Sequence, residues 1–342
     1  MSPKIAIVIL NWNGAKLLQQ FLPSVISFSK NDSTEIIVAD NGSTDHSLEI
    51  LRNEFPKVQW LDLKQNFGCA RGYNEALKQI EADYFVILNS DVEVTSGWLQ
   101  APIHLMESNP EIAVVQPKIL SYHQKTHFEY AGAAGGFIDR FGYPFCRGRI
   151  FNELEADAGQ YDQTTEIFWA SGACMFVRTT TFREAGGFDA DFWAHMEEID
   201  LCWRLKNRGF QIVFTPESTV YHVGGGTLAY DNPKKLFLNL RNNLWLLYKN
   251  SPGNRLVYIL FIRMILDAVA AFKLLAEFNL NGIKSVLKAH YYFWTSLSVL
   301  IKKRKLIRQN ISCQAPLTGM LPKSLVFQFY FRKRKRFSEL YL

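Results

Sequence analysis

Four short runs within the first ninety residues, at 4–10, 35–39, 58–61 and 84–88, are almost continuously apolar and rich in Ile and Val. A strand with one wet face must alternate polar and apolar residues, and these do not, so they predict strands covered on both faces. Between them, segments 15–28, 44–54 and 70–80 space their apolar residues as helices do. Strand alternating with helix predicts an α/β fold, a Rossmann-like, mostly parallel sheet flanked by helices. Ligands of such sheets bind at the carboxyl ends of the strands.

From about 110 to 230 the pattern becomes mixed. Short strands are expected near 112–116, 165–170, 211–214 and 218–222, with a Gly-rich stretch at 131–136 and a helix near 195–208. Asp231-Asn232-Pro233 places a proline at a first helical position, and strand patterns cease after it. The expected organisation is a catalytic domain over 1–232, a helical module over 233–309 and a basic C-terminal tail over 310–342.

The formal net charge of +6 conceals a division. Residues 1–232 carry 18 basic and 29 acidic residues, net −11, whereas 233–342 carry 20 and 3, net +17. An acidic domain is thus joined to a strongly basic module that suits an anionic surface. The longest uncharged apolar run of the C-terminal third, 289–301, reaches about 20 Å as a helix against roughly 30 Å of bilayer hydrocarbon, so no span is expected. Aromatic residues flanked by Lys and Arg favour helices lying in a membrane interface, with Lys302-Lys303-Arg304-Lys305 and 332–336 meeting anionic headgroups. A core helix is the competing reading of this module, with Arg263 and Asp267 spaced to pair. Nucleic acid is disfavoured as a partner because no recognition motif accompanies the basic runs.

Five cysteines, at 69, 146, 174, 202 and 313, form no C-x-x-C pair, which argues against a disulfide framework or a cysteine zinc site and for a reducing compartment. The apolar run 5–10 is too short for a signal-peptide core, so a cytoplasmic location is expected.

Each early strand is followed by polar residues suited to a nucleotide. After the first comes Asn11-Trp12-Asn13-Gly14, where Trp12 can stack on a base or simply half-bury in a turn. After the second, Asp40 can accept from a base N–H or a ribose hydroxyl, while Ser43 or Thr44 caps the next helix. After the third, Asn66-Phe67-Gly68-Cys69-Ala70-Arg71-Gly72-Tyr73-Asn74 opens a helix whose N-terminus and Arg71 suit a phosphate. The fourth runs into Asn89-Ser90-Asp91-Val92-Glu93, a turn suited to a divalent ion on a diphosphate or to plain solvation.

Together these segments resemble the family 2 glycosyltransferases of GT-A fold, in particular the bacterial rhamnosyltransferase-like branch that builds surface polysaccharides. The matches run in the family's order over about 4–232: IVILNWNG, ADNGSTD, QNFGCARGYN, LNSDVEV, GACMFVR with GGFD, MEEIDLCWR and VYHVGGGT. The resemblance implies that Trp12 and Asp40 hold the nucleobase and that Asn66, Arg71 and Asn74 line the nucleoside and diphosphate. It implies Asp91 and His222 as ligands of Mn2+ or Mg2+. Asn89 replaces the first Asp of the family's D-x-D, which weakens the metal site or recruits Glu93. A UDP-, dTDP- or GDP-linked donor and a lipid-linked or glycan acceptor follow from the same resemblance, at the inner face of the cell membrane.

Inverting transfer needs a carboxylate to take the acceptor proton. Asp200 has Arg204 four residues on and reads as structural. Glu198 faces Leu201, Cys202 and Leu205 without a local cation, so its pKa should be raised as a base requires. The resemblance points to the same residue, although Glu stands where the family has Asp; Glu197 is the fallback. Gly186-Gly187-Phe188-Asp189 and Phe192-Trp193 belong to the acceptor side by the same analogy, or to the core. A sugar-nucleotide nucleotidyltransferase on a similar scaffold, or a noncatalytic nucleotide-sugar or glycan-binding homologue, are the alternatives.

Overall fold

The computed structural model describes residues 2–224, 232–312 and 317–340. Gly225, Gly226, Thr227 and Asp231 of the motifs above, and Cys313, lie outside the described residues. The chain begins β1 (Ile5–Asn11), α1 (Ala15–Phe28), β2 (Thr34–Asp40), α2 (Ser47–Glu54), β3 (Gln59–Asp62), α3 (Gly68–Leu77) and β4 (Tyr84–Asn89). It continues with β5 (Val92–Val94), α4 (Gln100–Ser108), β6 (Ile112–Ser121), β7 (Gly136–Asp139), β8 (Pro144–Cys146), β9 (Arg149–Ile150), β10 (Glu153–Leu154), β11 (Thr165–Glu166) and β12 (Cys174–Arg178). Then come α5 (Thr179–Glu184), α6 (Glu197–Asn207), β13 (Gln211–His222), α7 (Pro233–Asn250), α8 (Leu256–Ala276), α9 (Leu280–Thr295), α10 (Leu297–Gln309), β14 (Met320–Leu321) and α11 (Leu325–Tyr330).

The large sheet has the order β11-β13-β6-β12-β4-β1-β2-β3, with β5 alongside β13. Strands β3, β2, β1 and β4 are parallel, as are β6 and β13, while β12 runs antiparallel to both β4 and β6. The interior strands are buried from end to end, as their unbroken apolar character requires. Register then aligns the polar residues at one edge: Asn11 lies opposite Asp40, Asp40 opposite Asp62, and Leu10 opposite Asn89. The expected strands at 211–214 and 218–222 are one strand, β13, whose pairing with β6 slips between Thr215 and Thr219. Helix α2 starts at Ser47 rather than 44 because the Asp45 carboxylate accepts from the Ser47 N–H at 3.0 Å and from the Ala15 N–H at 3.0 Å, bracing the loop ahead of it.

The C-terminal helices pack on one another and on the α/β domain. Helix α8 turns its charges inward: Arg263 Nε donates to Asp267 Oδ1 at 2.8 Å, Asp267 Oδ2 lies 3.2 Å from His290, and the guanidinium stacks on Tyr143 at 4.3 Å. Its opposite face exposes Val257, Phe261, Ile265, Val269 and Phe272, spaced by three or four residues. This reverses the usual polarity of a surface helix. No described helix is long and apolar enough to cross a membrane. The basic segment beyond 316 docks on the α/β domain: β14 adds to β7 in a second, five-stranded sheet, Asp139 accepts from the Leu325 N–H at 2.8 Å, and Phe337 packs on Phe137 at 4.8 Å. Leu321, Leu325 and Leu340 bury, and Phe329 and Phe337 half-bury, while most of the segment's lysines and arginines stay exposed, which explains how a charge-rich stretch stays attached.

Candidate active site

The β1 and β2 ends are knitted together by short polar side chains. Asn11 Nδ2 donates to Asp40 Oδ1 at 3.0 Å, and Asp40 Oδ2 accepts from the Ser43 N–H at 2.9 Å. Asp40, expected at the nucleobase, has no exposed surface, and both its oxygens are engaged by Asn11 and Ser43. Asn13, at φ +52°, accepts from the Thr44 N–H at 2.7 Å and ties the two loops together. Trp12, between Asn11 and Asn13, is left 45% exposed, an unusual position for so large an apolar ring.

The third loop is organised by Asn41, which the sequence places in the turn after β2. Buried Asn41 donates to Asn66 Oδ1 at 3.2 Å and to the Gly68 carbonyl at 3.1 Å, and accepts from the Phe67 N–H at 3.0 Å. Gly68 sits at φ +76°, and a Cβ there would meet the Trp193 indole at 2.6 Å. The start of α3 is not open to a phosphate: the Cys69 and Ala70 N–H groups both donate to the Trp193 carbonyl, at 2.6 and 3.2 Å. Arg71 lies on the surface, 4.4 Å over the Phe67 ring and 3.7 Å from Glu75. Asn74, expected to line the nucleoside and diphosphate, faces the α5–α6 connection instead of open space. Its amide is spent on residue 188, donating to the Phe188 carbonyl at 2.7 Å and accepting from the Phe188 N–H at 3.0 Å.

At the β4 and β13 ends, Asp91 and His222 meet. Asp91 Oδ1 lies 3.2 Å from His222 Nε2, the Asn89 amide 3.4 Å from the same nitrogen, and both Asp91 and His222 are buried. On the other side of the ring, Nδ1 lies 3.2 Å from Glu129 Oε2. Burial opposes charge on Asp91, but the imidazole outweighs it and holds the carboxyl below its usual value. Burial likewise opposes charge on His222, yet the two flanking carboxylates raise its pKa to about 10. Glu93 is not drawn into this group; it pairs with Lys125. Among the described residues no three His, Cys, Asp or Glu side chains form a self-sufficient metal site. One carboxylate and one imidazole would fit an ion whose remaining positions are filled by diphosphate oxygens and water, the ion displacing the ring proton that the flanking carboxylates otherwise hold.

The acids at the start of α6 separate by environment. Asp200 is fully buried and structural, as expected, with Arg204 Nε at 2.8 Å and Lys249 Nζ at 2.9 Å. Glu197 is buried against the Cys69 thiol, and burial raises its pKa. Glu198 has no cation beside it; burial, and then the neighbouring Glu197 charge, push it up to about 8. Tyr73, between the two regions, feels the charges of both Glu197 and Asp91.

The turn that delivers Glu198 is held in a costly shape. Trp193, His195 and Met196 all have left-handed backbones, at φ +65°, +69° and +72°. Each costs roughly 1–2 kcal/mol for a side chain larger than glycine. Helix α7 supplies the restraint: Asn242 Nδ2 lies within 3.0 Å of the Phe192, Ala194 and His195 carbonyls, and Arg241 donates to the Asp191 and Phe192 carbonyls at 3.1 and 3.0 Å. Lys249 reaches Asp189 at 2.5 Å, Lys303 reaches Asp191 at 2.6 Å, and Lys234 lies 3.9 Å over the Trp193 ring. Burial lowers the His195 pKa to about 4, so this imidazole is neutral. None of these α7 contacts is encoded in a motif.

Comparison with known proteins adds an independent line. Residues 6–183 match the model of glycosyl transferase family 2. The N-acetylglucosaminyl-diphospho-decaprenol L-rhamnosyltransferase of Mycobacterium tuberculosis (strain ATCC 25618 / H37Rv) is 24% identical over 237 residues, covering 65% of this chain and 76% of that protein. The O-antigen biosynthesis protein RfbC of Myxococcus xanthus is 25% identical over 224 residues, covering 65% of this chain and 17% of the larger protein. Among solved structures, GalNAc-T7 with UDP, GalNAc and Mn2+ superposes with a TM-score of 0.55 at 16% identity, covering 72% of this chain and 48% of its own. The mannosyltransferase PcManGT from Pyrobaculum calidifontis, in complex with GDP-Man and Mn2+, gives 0.52 at 14% identity, covering 91% and 87%.

Proposed function

The chain belongs to the family 2 glycosyltransferases and has their GT-A fold, and from that premise we propose that it moves a sugar, with inversion, from a nucleoside-diphosphate donor to a hydroxyl of a lipid-linked or polysaccharide acceptor in cell-surface glycan synthesis. The observation that carries the reading is Glu198, a carboxylate with no cation beside it and a pKa of about 8. It accepts the acceptor proton as the hydroxyl oxygen bonds to the anomeric carbon; the bond from that carbon to the diphosphate breaks, and the nucleoside diphosphate departs.

The donor, UDP-, dTDP- or GDP-linked, lies over the strand ends, with Trp12 against the base and Asp40, Asn41 and Asn66 shaping the loops beneath it. Arg71 extends toward the diphosphate from the surface of α3. Asp91 and His222 would hold Mn2+ or Mg2+, which would supply positive charge against the departing diphosphate. The mycobacterial relative, by its name, acts on a decaprenyl-linked acceptor, which supports a lipid-linked acceptor here. The outward apolar face of α8 and the charge of +17 over 233–342 support a peripheral position on the inner face of the cell membrane.

A thermal-shift panel of UDP, dTDP and GDP, each with and without Mn2+, tests the reading through mass action. One nucleotide should stabilise the chain, and more strongly with the ion. Release of pyrophosphate from a sugar nucleotide, in place of nucleoside diphosphate, would make it a nucleotidyltransferase; no donor turnover at all with Mn2+ would make it a binding homologue.

A further inference from the structure

We infer that Glu129 is a positioning residue for the ion site, fixing the His222 ring so that Nε2 points to the ion beside Asp91. This rests on the reading of Asp91 and His222 as ligands and extends it to a residue outside every motif quoted above. Glu129 lies in the connection between β6 and β7 and is only 4% exposed. A buried carboxylate is expensive unless it is engaged. Its Oε2 accepts from the Ala131 N–H at 2.5 Å and faces His222 Nδ1 at 3.2 Å. The opposite ring nitrogen faces Asp91 at 3.2 Å. The imidazole therefore lies between two carboxylates, at ion-pair distance from each, while its buried Nδ1 makes no directed hydrogen bond among the described residues.

An imidazole ligates through one nitrogen and needs its proton on the other, and a carboxylate behind the ring fixes both the tautomer and the ring's orientation. Glu129 is itself fixed by the Gly-rich stretch that follows. Gly132 has φ +144°, a Cβ there would meet Ser171 Cβ at 2.7 Å, and Ser171 Oγ donates to the Ala131 carbonyl. The close approach at Gly132 holds Ala131 where its N–H meets Glu129. The glycines at 131–136 thereby acquire a purpose that their position away from the strand ends did not suggest.

The test is Mn2+ titrated into the full chain in the presence of UDP, dTDP and GDP in turn, whose diphosphate completes the ion's coordination, with pulsed EPR reading the 14N modulation of a coordinated imidazole. Glu129→Gln keeps the shape and an oxygen for Ala131, but its amide N–H can face Nδ1 and drive the proton to Nε2. The expected result is Mn2+ affinity about 10- to 100-fold weaker with the 14N modulation reduced, and loss of that modulation in His222→Ala. Thermal unfolding of Glu129→Gln checks that it is folded. If folded Glu129→Gln binds Mn2+ as the wild type does, with the modulation intact, the positioning role is overturned and the ligand assignment stands. If the wild type binds Mn2+ without 14N modulation, or does not bind it, the ligand assignment itself falls and this role with it.

Discussion

Replacing Glu198 by Gln should trade activity for stability in a way that pH reveals. In the folded chain the Glu198 pKa rises from its ordinary 4.5 to about 8. Because that pKa is raised, its contribution to stability is fully present below the unfolded value and is lost as pH climbs through the folded one. Each pH unit across that window is worth about 1.4 kcal/mol, so the ionised side chain burdens the fold by up to about 5 kcal/mol above pH 8. Access to water and relaxation reduce this to about 2 kcal/mol. Glutamine carries no charge to bury. Glu198→Gln should therefore match the wild type near pH 4 and exceed it near pH 9 by a Tm difference of about 3 °C, measured by scanning fluorimetry across that range. Transfer, assayed as nucleoside diphosphate released with acceptor present, should fall by about 10²–10⁴, with the donor's stabilising shift retained. A stability difference that ignores pH would refute the environment argued for Glu198, and transfer within threefold of wild type would remove it as the base.

Three further outcomes are expected. Asn242→Ala leaves the carbonyls of the 192–195 turn short of a donor and should cost about 3 kcal/mol in urea unfolding, with transfer falling more than donor affinity does. Trp12→Ala should weaken the stabilising nucleotide about 5- to 150-fold, since stacking on a base is worth about 1–3 kcal/mol, and Trp12→Phe should restore most of it. Flotation with anionic vesicles should capture the wild type, and replacing Phe261 and Phe272 together by Ser should release it, each ring contributing about 2 kcal/mol of burial, while transfer to a water-soluble acceptor stays unchanged. Capture by RNA or DNA at physiological salt in place of vesicles would contradict the membrane reading.

The α/β frame is readable in the sequence because it follows from local pattern. Four unbroken apolar runs have one inexpensive solution, and α1 emerges with the bounds its spacing indicates, Ala15–Phe28. The raised pKa of Glu198 was also legible, since its helical neighbours are apolar and no cation lies at i+3 or i+4. The partners of Asn74 were not, because its amide bonds to a residue 114 positions away and no spacing rule reaches that far. Glu129 was missed for the same reason: it lies in a connection between two sheets, and its role exists only once β13 carries His222 alongside. The inward ion pair of α8 could be suspected from Arg263 and Asp267 at i and i+4, but the outward direction of the apolar face depends on what the helix packs against.

The family match ends at residue 183, fifteen residues before Glu198. The ends of β1 to β4 lie inside the matched segment. Glu198, proposed as the base, follows a turn over 189–196 whose shape is imposed by α7 and α10. The working shape of that turn thus depends on helices that lie beyond residue 232. A chimera cut at residue 232 would separate the turn from its clamp and be inactive, even though every catalytic side chain were present.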